Sequence, residues 1–413
     1  MQKKIIALAV AGLVSGGAFA QASNVTIYGT LDVGLQTMST GFGSKTSVVA
    51  GGLTASRLGF KGEEALGGGM KAIWTLETGL AQDNGIAGGA NQALGANQAN
   101  SSSTVTGGSQ FFSRTAWAGL AGGFGELTFG RQYTSSYLGA AAVIDPVGGG
   151  LYANGAQIAG GGMQTRVNNS VVYKTPTMAG FKAHFTWTAG LENNVNTEIV
   201  SASATGAACV PGAAVVCSND KAGRGWDLGV GYGAGPLNAL VTTWSNNGVS
   251  YAAGATPATL ETGLVKNTGW LLGANYDFKV AKIHAGYISS KKQGGNYENV
   301  TVALNKSTAY MLSAVVPAGG GKVVANYLSF NDKSVFDRDL SAWSIGYLYD
   351  LSKRTTLYVD YGKLSNNANS ASTFINAGDA VGVTSGAAGS PAAPSATAGF
   401  DPSGFMVGVR HSF

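Results

Sequence analysis

From Val25 to Phe413 the chain alternates between large apolar side chains and small or polar ones. Trp226, Leu228, Val230 and Tyr232 are interleaved with Asp227, Gly229 and Gly231, and Trp270, Leu272, Ala274, Tyr276 and Phe278 with Leu271, Gly273, Asn275 and Asp277. The same period returns in Trp343, Ile345, Tyr347 and Tyr349, and in the final Phe405, Val407, Val409, His411 and Phe413. A period of two sends successive side chains to opposite faces of a β-strand. Sixteen such segments are predicted, starting near Val25, Leu53, Met70, Gln110, Glu126, Arg166, Phe181, Arg224, Leu237, Thr268, Ala281, Ser307, Lys322, Ser341, Thr355 and Ser403.

The connections alternate in length. Seven are short turns, at 67–69, 122–123, 176–180, 233–236, 279–280, 317–321 and 352–354. The eight others are long and polar or glycine-rich, among them 83–109, 132–165, 191–222 and 365–402. Up-and-down strands joined in this way bring both chain ends to the short-turn side. The fold class this implies is all-β: a 16-stranded antiparallel transmembrane β-barrel with short periplasmic turns and long extracellular loops. Hydrocarbon offers no hydrogen-bond partners, so a sheet spans a membrane only when it closes on itself without a free edge. A soluble sandwich would carry a charge-rich outer face, whereas here the second face is mainly Gly, Asn, Ser and Thr. No linker or composition break divides the rhythm into two domains.

Composition narrows the choice further. Only 11% of the 413 residues are charged, against about 25% in an average soluble domain. The aromatics are spread along the whole chain, which excludes disorder. After the first twenty residues no stretch approaches the ~20 apolar residues of a helical span, which excludes a helical membrane protein. Lys3 and Lys4, the apolar run 5–14 and Ala18-Phe19-Ala20 predict a signal peptide over 1–20, leaving a barrel domain over 21–413. Loss of those two lysines lowers the formal net charge from +5 to +3, too small a surplus on an exported chain to suggest a nucleic-acid partner. Cys209 and Cys217, the two cysteines, predict a small loop disulfide in an exported chain.

Chemistry-bearing constellations are sparse. His184, His284 and His411 fall on separate predicted strands and suggest no metal site. Glu63-Glu64 is the one adjacent acid pair, and alternation sends its side chains to opposite faces. Neither a catalytic set nor a cofactor is implied. Gly229, Gly231, Gly233 and Gly235 precede Pro236 and a further strand, not a helix, so they read as lumen-facing positions or as room for strand curvature and not as a phosphate loop.

Several motifs are recognisable in order along the chain: 25–32 (VTIYGTLD), Ser56-Arg57 leading to Lys61 and Glu64, Ser113-Arg114 followed by Trp117 to Leu120, 129–132 (FGRQ), 166–173 (RVNNSVVY) and 407–413 (VGVRHSF). Together they resemble the general porins of β-proteobacteria. The resemblance implies a homotrimer of sixteen-stranded barrels in the bacterial outer membrane, surrounded by its lipid and lipopolysaccharide. Each barrel would be a water-filled channel for small hydrophilic solutes and inorganic ions, narrowed by a third loop folded inward. The terminal Phe413 resembles the signal read by the outer-membrane assembly machinery.

If the larger apolar residue of each pair faces lipid, Arg57 and Lys61 turn inward around Leu58 and Phe60, and Arg166 and Lys174 around Val167, Val171 and Tyr173. Arg114 turns inward if Trp117 faces out. Arg57, Arg114 and Arg166 match the basic cluster that the family carries at its constriction, opposite a third loop whose one acid is Asp145. Three guanidinium groups against one carboxylate lead to an expected preference for anions, unless the arginines pair with the inward acids Asp32, Glu63, Glu77 and Asp227. Gly148 to Gly150 and Gly160 to Gly162 predict a flexible third loop, and Tyr133, Tyr137 and Tyr152 are sparse for sugar stacking. A general sieve is therefore expected, with a substrate-specific channel, or a surface barrel acting as adhesin or receptor, as the alternatives.

Overall fold

In a computed structural model of the chain, the structure describes residues 24–39, 43–87, 111–155, 163–190, 223–251, 261–293, 296–297, 300–301, 305–334, 337–370, 372, 374 and 399–413. The predicted signal segment, Cys209 and Cys217, Gly160 to Gly162 and most of the long outer loops lie outside these residues.

Sixteen strands make the wall. They are β1 (Asn24–Ser39), β2 (Arg57–Gly67), β3 (Met70–Ala81), β4 (Thr115–Gly122), β5 (Gly125–Tyr133), β6 (Arg166–Lys174), β7 (Phe181–Thr188) and β8 (Gly225–Ala234). They continue as β9 (Leu237–Tyr251), β10 (Glu261–Asp277), β11 (Lys282–Gln293), β12 (Asn305–Ala318), β13 (Gly321–Asp332), β14 (Leu340–Asp350), β15 (Thr355–Asn366) and β16 (Ser403–Ser412). Each pairs antiparallel with the next in sequence, and β16 returns to β1 in register from Thr30 opposite Ser412 to Ser39 opposite Ser403. Phe413 and Gly29 then exchange two backbone bonds of 3.1 Å. The ring is closed, so its wall presents no free sheet edge to lipid.

The alternation is realised as foreseen. Trp226, Leu228, Trp270, Leu272, Tyr310, Leu312, Trp343 and Ile345 are exposed on the outside, while Asp227, Thr242, Asn275, Ser313 and Ser344 are buried within. Outward rings meet in cross-strand pairs, Trp270 with Tyr287 at 5.3 Å and Trp343 with Tyr361 at 5.7 Å toward the long-loop side, and Phe181 with Tyr232 at 4.7 Å toward the short turns. Two aromatic belts flanking an aliphatic band match the two water–lipid interfaces.

Two elements differ from expectation. The second strand is split: the segment Ser44–Ala50 pairs with the upper part of β1, β2 pairs with the lower part, and residues 51–56 leave the wall. The cause is Asp32. Its carboxylate accepts the amides of Leu53 (3.0 Å) and Thr54 (2.6 Å), and its carbonyl accepts that of Gly51 at 2.7 Å. Trp117, expected to face lipid, sits opposite Thr75 on the inner face shared with Glu77.

The lumen is not uniformly polar. Trp244, Leu271, Ile288, Met311, Leu328 and Leu364 point inward and form one buried cluster with Ile144, Leu151 and Tyr152 of the third outer loop. The barrel thus has a hydrophobic core inside it, built between wall and loop. As a test of the two faces, Leu272→Arg, placed on the outward band between the aromatic belts, is expected to cost about 2–4 kcal/mol in denaturant unfolding from vesicles; an unchanged midpoint would show that this face does not meet lipid.

Candidate functional site

The third outer loop leaves β5 at Tyr133, turns into the lumen and re-enters the wall at Arg166. Thr134 caps the short helix α1 (Ser135–Gly139) by accepting the amide of Tyr137 at 3.2 Å. Asp227 of β8 accepts both the Ser135 and Ser136 hydroxyls and the Ser136 amide (3.1 Å). A carboxylate beside the first turn satisfies amides that the helix itself leaves open. The loop then widens to a π-type turn over 140–144. There the Val143 carbonyl accepts His284 Nδ1 at 2.9 Å and Asn275 Nδ2 at 3.0 Å.

Further along, Asp360 accepts the Tyr152 amide at 2.6 Å, Ser344 donates to the Tyr152 carbonyl at 2.6 Å, and the Leu151 amide reaches Gly52 of the interrupted second strand at 2.8 Å. Inner-wall glycines make room for the apolar anchors: Ile144 lies over Gly273 and Gly286, and Tyr152 over Gly362 and Gly404. Tyr152 is 0% exposed and packs on Phe374 of the eighth loop at 4.7 Å. Leu151 and Ala153 hold φ of 61° and 49°, a conformation that persists in non-glycine residues only where surrounding contacts over-determine it. The described part of the loop is therefore pinned along its length, and the flexibility expected from Gly148 to Gly150 is reversed.

Asp145 explains that reversal. It is 2% exposed, and its two oxygens accept the amides of Val147, Gly148, Gly149 and Gly155 at 2.7 to 3.1 Å. Gly148 and Gly149 adopt φ of 71° and 96°, which turns their N–H groups toward the carboxylate. Burial pushes the Asp145 pKa up, and the four amides pull it back toward the charged form. The carboxylate expected to face the arginines is instead committed to its own loop.

The basic residues divide into two groups. Arg114 points inward because pairing is irregular there: its amide bonds to the Glu77 carbonyl at 3.1 Å, although Glu77 already lies opposite Thr115. Both Arg114 and Thr115 therefore fall on one side, as at a β-bulge. Arg114 Nε meets Glu77 Oε1 at 2.5 Å, and Tyr28 donates to the other Glu77 oxygen at 3.0 Å. The Tyr133 hydroxyl accepts from Arg114 at 2.7 Å and from Arg166 at 2.6 Å, and the Arg166 guanidinium lies 4.4 Å from the Tyr133 ring centre. Tyr137 stacks on Tyr133 at 5.3 Å. Arg57 faces the same group, where its charge interacts with those of Arg114 and Glu77. Arg57, Arg114 and Arg166 thus converge beside the inward loop, with Lys61 further down β2 over the Tyr28 ring at 5.3 Å. Lys174 stands apart, paired with Glu126 at 3.1 Å at the short-turn end of β6.

Sequence reasoning named Glu77 and Asp227 only as inward acids and missed Asp360, His284 and Asn275 as loop anchors. Parity alone puts all five inside; nothing local marks which of them meets the loop. Among the described residues the three loop tyrosines are engaged in arginine contacts, mutual stacking and wall packing.

The model of the Gram-negative porin family matches residues 7–369. The chain belongs to the Gram-negative porin family. Over 429 aligned residues this porin is 31% identical to outer membrane porin protein 32 of Delftia acidovorans, with 100% of both chains covered. It is 28% identical to an outer membrane porin protein of Bordetella pertussis, covering 89% of this chain and 95% of that one. Among solved structures, an anion-selective porin from Comamonas acidovorans superposes with a TM-score of 0.67 at 25% identity, over 95% of this chain and 100% of that chain. Fold and family point to an outer-membrane channel and not to an enzyme.

In this porin the docked loop narrows the lumen, and Tyr152 is its largest anchor. Tyr152→Ala is expected to cost about 3–5 kcal/mol of loop docking. The variant should fold and insert but show larger, noisier single-channel steps; steps identical to those of the native channel would mean that the loop is held without this ring.

Proposed function

We propose that this outer-membrane porin passes small hydrophilic solutes and inorganic ions by passive diffusion, prefers anions, and works as a homotrimer. The observation that carries the preference is the charge balance beside the inward loop. Arg57, Arg114 and Arg166 share that wall with one paired carboxylate, Glu77, and the loop's own Asp145 is taken up by amides. Tyr133 holds two of the arginines by accepting from both at its hydroxyl oxygen, which fixes their positions. In a narrow, partly desolvated passage such fixed charge lowers the barrier for one sign of ion. The anion-selective porin from Comamonas acidovorans, matched over most of both chains, supports the same sign.

Reversal potentials in planar bilayers under a potassium chloride gradient test this, with an anion-side value expected and a cation-side value refuting it. Arg57→Gln is the informative variant and should move the potential toward zero. Arg114 is 4% exposed and ion-paired, so its truncation would strand Glu77 at a cost of about 3–5 kcal/mol and mix stability with selectivity.

The homotrimer is the assembly that the resemblance to the general porins implies. Phe413, half-exposed where the ring closes, serves in this reading as the assembly signal, and the 1–20 leader and the Cys209–Cys217 disulfide belong to the same reading. Native mass measurement of extracted protein should give three chains, and Phe413→Asp should lower the amount of trimer in the membrane. Normal trimer levels in that variant would reduce Phe413 to an interface residue.

A further inference from the structure

On the long-loop side, the outer face of the wall carries a row of lysines above its aromatic belt. Trp270, Tyr287, Tyr310 and Tyr327 mark that belt on β10, β11, β12 and β13, and all four are exposed. Further toward the long loops, at the same parity and so on the same face, stand Lys266, Lys291 and Lys306, with Lys333 just past the end of β13. Lys291 lies directly opposite Lys306, Lys266 opposite Gln293, and the Lys333 amide bonds to the Lys306 carbonyl at 2.8 Å. The row thus crosses four neighbouring strands. From Tyr287 to Lys291 a tilted strand climbs about 10 Å, which lifts the ammonium groups from the ring level into the lipid headgroup layer.

Nothing described in the wall answers these charges. Like charges directly opposite each other on an antiparallel pair repel, and Lys291 and Lys306 are such a pair. Among the described residues none of the four lysines has an ion-pair partner, whereas Lys363 on β15 meets Asp401 at 3.7 Å. Asp332 faces the lumen, paired with Arg338 at 3.0 Å. Asp339 accepts Asn331 Nδ2 at 2.9 Å and the Asp332 amide at 2.8 Å, and with Asp337 it borders only the Lys333 end of the row. The flanking connections 252–260 and 294–304 bring a single acid, Glu298. Between rings and lysines the same face presents the hydroxyl residues Thr268, Ser289 and Thr308.

We propose that this row binds the phosphate groups of the outer-leaflet glycolipid, the lipid A part of lipopolysaccharide. A phosphate between Lys291 and Lys306 replaces their repulsion with two charge-assisted hydrogen bonds, and Lys266 and Lys333 extend the site to either side. The hydroxyls lie at the level of the sugars, and the acyl chains run down past Trp270, Tyr287 and Leu272. Rings directly beneath the cations suit a lipid interface, and a phosphorylated glycolipid meets both features at once. The proposal rests on the reading that the long loops face the cell exterior.

The test titrates the mature protein in detergent, without divalent cations, against lipid A and against the same lipid stripped of its phosphates, with bound lipid counted by native mass measurement. The native protein is expected to favour the phosphorylated form. Lys291→Gln with Lys306→Gln should weaken lipid A binding roughly thirtyfold, the product of two lysines at an anionic surface. Lys279→Gln with Lys353→Gln removes the same charge from exposed positions in the short turns and should leave the affinity unchanged. Without lipid A the row variant should unfold at or above the native midpoint, since a repulsion is relieved; a lower midpoint would make the lysines structural and overturn the site. Equal binding of both lipid forms, or an affinity unmoved in the row variant, also overturns it. Weakening by the short-turn pair alone would overturn, in addition, the outward placing of the long loops.

Discussion

Every part of this molecule depends on a backbone hydrogen-bond ladder that closes on itself. In hydrocarbon an unpaired amide or carbonyl costs several kcal/mol, so β16 must find β1. It does so along ten register pairs, from Thr30 to Ser39. Once the ring is closed the chain has an outside that meets lipid and an inside that does not, and one alternation serves both. Trp270 and Leu272 can face acyl chains only because Leu271 and Gly273 face in.

The inside then carries a second, less usual structure. A loop of over twenty residues cannot lie in water against a polar wall and keep one conformation, given the entropy of ordering it. Here it is held by an apolar cluster and by wall groups spaced along its path: Asp227 at α1, His284 and Asn275 at Val143, Asp360 and Ser344 at Tyr152. Asp32 contributes from a distance, since the break that it imposes in the second strand presents the Gly52 carbonyl to Leu151.

Charge in the lumen divides according to burial. Arg114 and Glu77 are a buried pair whose attraction mainly offsets the cost of removing both from water. In the proposed reading, Arg57 and Arg166 beside that pair give the passage its sign. Asp145 illustrates the opposite use of a charge, spent on folding four glycine-rich loop amides into a compact turn.

Period, turn length and parity were legible in the order of residues, because a strand's side chains alternate whatever they later touch. From them followed the sixteen strands, the barrel, the inward direction of Arg57, Lys61, Arg166 and Lys174, and the lumen-facing glycines of β8. The tertiary structure alone decided which inward residues meet. It turned Trp117 into the lumen, split the second strand at Asp32, drew Asp145 into its loop, sent Lys174 to Glu126 and paired Arg114 with Glu77. Those outcomes depend on the path of one loop across a closed ring, where residues a hundred or two hundred positions apart come within 3 Å. Local periodicity carries no information about contacts at that separation.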